Sequence, residues 1–171
     1  IMKKLLYIFL TVLIVACSGD DGNESNNNDS NLFRNIYNNT FWSVNGGLIT
    51  FSPDKLWYQY FSQNEGGCTF IEEGSFENLR VNDCLFENVT YVVINENSNS
   101  LSFRGIYTNG TPIENSSTPC PNVEENYIFQ ILNDNIIEIV ISSDNYNESF
   151  TLIRSNESFL TNTCEFAWDS Y

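Results

Sequence analysis

Residues 40–61 have the sequence TFWSVNGGLITFSPDKLWYQYF, in which two short turns separate three runs rich in aromatic and β-branched residues. The first turn contains Asn45-Gly46, and this dipeptide is a strong hairpin signal because both residues readily adopt positive φ. The second turn contains Pro53-Asp54 and fits a type I turn, which favours Pro at its second position. The segment therefore predicts three antiparallel strands joined by tight turns.

The same pattern continues along the chain as far as residue 154. Apolar runs alternate with turns rich in Asn, Asp, Gly and Ser, without a convincing helical period. A strand every 8–12 residues or so is typical of an all-β sandwich or barrel. The predicted strands are residues 40–44, 48–51, 56–61, 68–71, 75–81, 89–94, 101–107, 127–132, 136–141 and 150–154.

Alternation assigns faces in some of these strands. Leu101, Phe103, Gly105 and Tyr107 share one face, which we predict to point into the core. Residues 56–61, in contrast, are bulky on both faces. That strand is expected to be buried on both sides, to line a pocket or to expose an apolar patch.

The N-terminal residues have the pattern of an export signal. Lys3 and Lys4 precede an apolar run, residues 5–15, which is too short to span a bilayer and fits the apolar region of a signal peptide. Ile14-Val15-Ala16-Cys17 follows and resembles the lipobox of bacterial lipoproteins. The resemblance implies removal of residues 1–16 and acylation of Cys17; the alternative is an ordinary signal peptide in which Cys17 occurs by chance.

Residues 18–31 contain no apolar side chain and predict a flexible linker. Their first four residues, SGDD, resemble the acidic signal that sends Bacteroidota lipoproteins to the cell surface; a plain solvated linker is the alternative. The predicted organisation is therefore a signal peptide (residues 1–16), a lipidated Cys with an acidic, Asn-rich linker (residues 17–32) and one domain (residues 33–171).

Three short segments of the domain carry a resemblance to a known family. Thr40-Phe41-Trp42, residues 51–54 (FSPD) and residues 150–154 (FTLIR) are similar to the lipocalin-like lipoproteins of Bacteroidota. The resemblance implies a small antiparallel up-and-down barrel of about 8–10 strands with an apolar interior. It also implies that Trp42 closes one end and that Arg154 packs across its indole.

The sequence departs from the lipocalin pattern at one position. Thr40 stands where the lipocalin G-x-W pattern has Gly. An unrelated β-sandwich of similar size is the alternative fold.

The composition excludes several functions. The formal net charge is −15, which disfavours nucleic acid as a partner, and the chain has no His, the commonest general base and metal ligand. Glu72, Glu73 and Glu77 are clustered around one predicted turn, where a solvated hairpin end is expected rather than the facing carboxylates of a glycosidase. The sequence therefore predicts neither an enzyme nor a bound metal or cofactor.

With Cys17 acylated, the remaining cysteines are Cys68, Cys84, Cys120 and Cys164, and an even number outside the cytoplasm predicts two disulfides. Three pairings are possible, and the sequence alone does not choose between them. We favour Cys68–Cys84, which would close a local hairpin. Cys120–Cys164 would then tie a predicted long loop, residues 108–126, to the C-terminal tail.

Aromatic residues supply the candidate binding site. Neighbouring segments contribute Trp57, Tyr58, Tyr60, Phe61, Phe103 and Tyr107, which are predicted to line one cavity; plain core packing is the alternative.

These features predict a monomeric lipoprotein that is held in the outer membrane by its acyl chains and binds a small apolar or amphipathic ligand without catalysis. It would face either the cell surface or the periplasm. The second hypothesis is a packed β-domain whose 108–126 loop contacts a protein or glycan.

Overall fold

The computed structural model describes residues 30–61, 67–81, 83–113, 117 and 119–166. The predicted signal peptide, Cys17 and most of the predicted linker lie outside the described residues. No helix in the described ranges is long enough and apolar enough to cross a membrane.

The described chain is almost entirely β-structure, which confirms the predicted all-β class. Helix α1 is a single turn, Phe33–Ile36, and a 3₁₀ turn forms at Thr161–Thr163. The strands are β1 (Phe41–Val44), β2 (Gly47–Ser52), β3 (Lys55–Phe61), β4 (Gly67–Ile71), β5 (Gly74–Val81), β6 (Cys84–Glu96), β7 (Ser100–Pro112), β8 (Val123–Asn133), β9 (Ile136–Ser142), β10 (Asn147–Ser155) and β11 (Glu165–Phe166). The first ten strands correspond to the ten predicted from the sequence.

The strands form one sheet in the order β11-β4-β3-β2-β1-β10-β9-β8-β7-β6-β5. All pairs are antiparallel except β11 with β4, which is parallel. The edge strands β5 and β11 approach each other through side chains, with the rings of Phe76 and Phe166 centred 4.5 Å apart. The expected closed barrel is therefore corrected to a curled sheet of eleven strands that stays open between β5 and β11.

Aromatic rings fill the inner face of the sheet. The Trp57 ring lies edge-on to Phe103, Tyr127 and Phe129, at centroid distances of 5.6, 5.5 and 5.4 Å. Phe51 extends the contact from Phe129 towards α1, at 5.3 Å. Edge-to-face pairs of this kind stabilise a core beyond the burial of their area. The middle of the sheet is thus packed core.

The predicted inner face of β7 is confirmed, since Leu101 and Phe103 are fully buried and Tyr107 nearly so. Every strand and every residue of the described core falls within residues 30–166. Because this part carries its own hydrophobic core, it has what a domain needs to fold alone.

Helix α1 covers one end of the curled sheet, which we call the helix end. The fully buried ring of Phe33 contacts Phe51 at 4.9 Å. The next residue, Arg34, donates from its guanidinium to Glu96 Oε2 at 2.7 Å and from its backbone N–H to Glu96 Oε1 at 2.8 Å. Hydrogen bonds to a charged group are stronger than ordinary ones, and together they fix the helix to the end of β6.

Trp42 is fully buried near the helix end. Its indole N–H donates to Thr40 Oγ1 at 3.1 Å, so the Thr that replaces the expected Gly satisfies the buried indole. Arg154 lies directly opposite Trp42 in the β1–β10 pair, but its guanidinium donates to the carbonyl oxygen of Asp134 at 3.3 Å. The cation–π contact found within the described ranges is instead Lys55 over Phe70, at 4.8 Å.

The C-terminal strap, residues 156–166, lies across the outer face of β1–β4. Its Phe159 stacks on Tyr60 at 5.5 Å and contacts Phe41 at 5.3 Å. Phe41 is next to the buried Trp42 in β1, and Tyr60 is three residues after the buried Trp57 in β3. Alternation along each strand therefore directs both rings to the outer face. The bulky side chains of β3 are therefore accounted for on both faces, because Leu56 and Trp57 belong to the core and Phe159 of the strap covers Tyr60.

The disulfides differ from the favoured pairing. Cys68 pairs with Cys164 and Cys84 with Cys120, at Cα–Cα distances of 4.6 and 5.8 Å. The prediction was wrong because it placed Cys68 and Cys84 in one hairpin. Strands β4 and β5 are consecutive in the chain but are not neighbours in the sheet, so no hairpin connects them.

Candidate functional site

A cavity of about 240 Å³ lies at the end of the sheet opposite α1. Strand β6 runs from the cavity to α1: its first residue, Cys84, lines the cavity, and its last residue, Glu96, pairs with Arg34 of α1. Residues 119–121, which come shortly before β8, lie at this end, which we call the loop end. The cavity is the loop-end pocket, lined by Val81, Asp83, Cys84, Phe86, Tyr107, Pro119, Cys120, Pro121, Val123 and Glu125.

The Cys84–Cys120 disulfide holds one wall of the loop-end pocket against β6. This wall packs directly on Gly110 of β7. A Cβ atom at Gly110 would lie 2.6 Å from Phe86 Cε1 and 2.9 Å from the carbonyl oxygen of Cys120. Real Cβ atoms do not approach backbone this closely, so the wall can sit where it does only because residue 110 has no side chain.

The floor of the loop-end pocket carries a chain of buried phenols that ends at a carboxylate. The Tyr91 and Tyr107 hydroxyls are 3.1 Å apart, and those of Tyr107 and Tyr127 are 3.5 Å apart, a long hydrogen bond. Tyr127 then donates to Glu125 Oε2, and Tyr146 donates to Glu125 Oε1. Glu125 therefore accepts hydrogen bonds from two tyrosines, one at each carboxylate oxygen.

The charge of Glu125 sets the direction of these hydrogen bonds. An ionised carboxylate only accepts, so Tyr127 uses its single proton on Glu125 and must accept from Tyr107. Tyr91 in turn donates to Tyr107. Every phenol in the chain thus points its proton towards Glu125.

Burial is the largest cause that raises the pKa of both Tyr107 and Tyr127 well above the ordinary value, and the charge of Glu125 raises both further. Burial and the hydrogen bond to Glu125 raise the pKa of Tyr146 as well. These phenols stay protonated throughout the physiological range and act as hydrogen-bond donors.

Gly105 makes room for this arrangement. It lies opposite Tyr91 in β6 and opposite Glu125 in β8, on the inner face. A Cβ atom at Gly105 would lie 3.0 Å from the Tyr107 hydroxyl and 3.1 Å from Tyr91 Cε1. The missing side chain lets the two tyrosine rings meet over this position.

The structure does not bring the six predicted ligand-binding aromatics together. Tyr107 lines the loop-end pocket, whereas Trp57 and Phe103 belong to the packed core. Tyr58 and Tyr60 lie on the outer face, in contact with Phe70 and Phe159 respectively, and Phe61 is partly buried at the end of β3.

Sequence reasoning missed Glu125 and Val123 because residues 108–126 were predicted to be a loop. In the structure β7 continues to Pro112 and β8 begins at Val123. Extending the alternation of β8 backwards from Tyr127 would have found both residues, since Val123 and Glu125 share the face of Tyr127.

The carboxylates that are clustered in the sequence, Glu72, Glu73 and Glu77, have separate environments in the structure. Glu72 accepts from Lys55, Glu73 accepts weakly from the Val93 N–H at 3.4 Å, and Glu77 is exposed on β5. Within the described ranges, no three His, Cys, Asp or Glu side chains are grouped so that they could hold a metal ion.

No known family model, curated protein or solved structure matches the chain at a significant level.

Proposed function

We propose that this chain is a membrane-anchored lipoprotein whose all-β domain binds a small amphipathic molecule in the loop-end pocket without catalysis. The anchor is acylated Cys17, and the location is the outer membrane, facing the cell surface. The observation that carries the proposal is the pocket itself, where apolar side chains surround two groups that accept or donate hydrogen bonds, Glu125 and Tyr107. Apolar walls with a few converging polar groups are characteristic of small-molecule sites.

The volume of the loop-end pocket limits the ligand. An engineered cavity of about 150 Å³ accommodates benzene. The loop-end pocket, at about 240 Å³, is therefore large enough for one ring with a short chain and too small for a long acyl chain. A ligand of this size would place its ring between Phe86 and Val123 and its polar end at Glu125.

The described segment just before β8 (residues 119–122) supports this function rather than a separate interaction loop. Its residues Pro119, Cys120 and Pro121 form a wall of the loop-end pocket. The disulfide to Cys84 fixes that wall, and a preformed wall lowers the cost of ordering the site when a ligand binds.

Filling the loop-end pocket is expected to abolish binding. The test uses residues 17–171 with Cys17→Ser, which retain the whole described core, and 2-phenylethanol as the probe. We expect a Kd of about 1 mM for this small neutral compound, measured by isothermal titration calorimetry. In Val123→Trp the indole occupies the space between Phe86 and Tyr107, and binding should weaken by at least about tenfold.

Val92→Trp is the matched control, because Val92 is 39% exposed on the outer face of β6. It adds the same bulk and should leave the Kd unchanged. Equal binding by wild type and Val123→Trp would contradict the proposed function, and so would a wild type that binds neither 2-phenylethanol nor 2-phenylethylamine.

A further inference from the structure

We infer that the natural ligand of the loop-end pocket carries a protonated amine. This inference rests on the function proposed above and identifies the chemical class of its ligand. Its basis is a carboxylate, Glu125, placed on the inner face of β8 where alternation would otherwise put an apolar side chain.

Three of the described cations pair with carboxylates outside the loop-end pocket. Arg34 pairs with Glu96, Lys55 with Glu72 and Arg104 with Glu124. None of the ion pairs between described residues involves Glu125 or Asp83, the two carboxylates that line the loop-end pocket. Among the ion pairs formed by described residues, none therefore supplies a counter-charge to these two carboxylates.

The phenol chain also makes the loop-end pocket more favourable for a cation than for an anion. Tyr127 and Tyr146 donate to Glu125, one to each carboxylate oxygen. Because Tyr91, Tyr107 and Tyr127 each donate towards Glu125, their protons are not available to a second anion. A second anion would be repelled by Glu125 and Asp83, which line the pocket, whereas a cation would be attracted by both.

Aromatic rings complete a site suited to an amine. The rings of Phe86 and Tyr107 are 5.5 Å apart and both line the loop-end pocket. The face of an aromatic ring attracts an ammonium group by its quadrupole, most strongly where water is excluded. A small aryl or alkyl amine would pair with the carboxylate, contact the aromatic rings and fit the volume of the pocket.

The test compares three probes of matched size on residues 17–171 with Cys17→Ser: 2-phenylethylamine, 2-phenylethanol and phenylacetate. We expect the amine to bind about tenfold more tightly than the alcohol, because a hydrogen bond to a charged group replaces a neutral one. Phenylacetate is expected to bind most weakly. Raising the salt concentration should weaken binding of the amine and not of the alcohol, since only the former depends on charge.

Variants assign the effect to particular residues. Glu125→Gln keeps an acceptor for Tyr127 and should reduce the preference for amine over alcohol to about twofold or less. Asp83→Asn alters an exposed residue, leaves the core intact and should lower the preference by a smaller factor, about twofold. Glu138→Gln is the control, because it removes one charge from β9 outside the pocket.

The outcomes separate the two proposals. If the alcohol and the amine bind equally well to the wild type, the amine inference is wrong and the proposed function stands. If none of the three probes binds, both are wrong. A preference for the amine that Glu125→Gln and Asp83→Asn leave unchanged would also overturn the inference, because the charge would then act from elsewhere.

Discussion

Trp57→Ala is expected to lower the free energy of unfolding by about 3–5 kcal/mol, the usual cost of removing a large aromatic side chain from a core. The Trp57 ring contacts Phe103, Tyr127 and Phe129 at once, so its loss leaves a cavity that several rings would have to move to fill. Urea denaturation at 25 °C, followed by circular dichroism, measures the change.

Tyr58→Ala is the control, one residue further along β3. Tyr58 is half-buried on the outer face and contacts Phe70, so its truncation should cost about 1–2 kcal/mol. If the two variants were equally stable, Trp57 would not be the centre of the core. The predicted contrast follows from alternation alone once the inner face of β3 is known.

Removing the strap disulfide with Cys68→Ser/Cys164→Ser is expected to cost about 3–5 kcal/mol. The bridge joins residues 96 positions apart, and in the chain-entropy description a closed loop of about 100 residues contributes about 4.7 kcal/mol. Its loss also frees Phe159 to leave Tyr60 and Phe41. The readout is the urea midpoint of the oxidised protein, with and without the substitutions.

The second disulfide provides a comparison with the opposite functional effect. Cys84→Ser/Cys120→Ser opens a shorter loop, with a separation of 36 residues, and should cost somewhat less stability. It releases the wall of the loop-end pocket, so binding of 2-phenylethylamine should be lost, whereas Cys68→Ser/Cys164→Ser should still bind wherever it remains folded. Retained binding without Cys84–Cys120, or an unchanged urea midpoint without Cys68–Cys164, would contradict these assignments.

Local signals in the sequence predicted most of the strands. Asn45 has φ 42° and Gly46 has φ 82°, the left-handed values expected for a tight hairpin of Asn-Gly. The alternation of Leu101, Phe103 and Tyr107 identified the buried face of β7 correctly. These features depend on residues close together in the chain, so a short stretch of sequence is enough to predict them.

Long-range features were not predictable in the same way. Cys68 meets Cys164 because the strap returns to β4 at the edge of the sheet, and no local pattern encodes that return. The parallel pair of β11 and β4 contains only two residues of β11, too few for a strand signal. The opening between β5 and β11 is also a long-range feature, because it depends on which strands meet after the whole sheet has curled.

The candidate site was only partly predictable. Tyr107 was identified from its aromatic character, and it does line the loop-end pocket. Trp57 and Phe103 carry the same signal but fill the core, because an aromatic residue on the inner face serves either role and only the packing of its neighbours decides. Glu125 was hidden by turn-like residues around it, although its alternation with Tyr127 was present in the sequence.

The most direct test of the binding proposal is to map where a small amine binds. Residues 17–171 with Cys17→Ser, labelled with ¹⁵N, are titrated with 2-phenylethylamine while the backbone amide shifts are followed by NMR. We predict that the largest shifts occur at Val81, Phe86, Tyr107 and Val123, which line the loop-end pocket. Shifts centred on Phe33 and Arg34 at the helix end, or no shifts at saturating amine, would contradict the account.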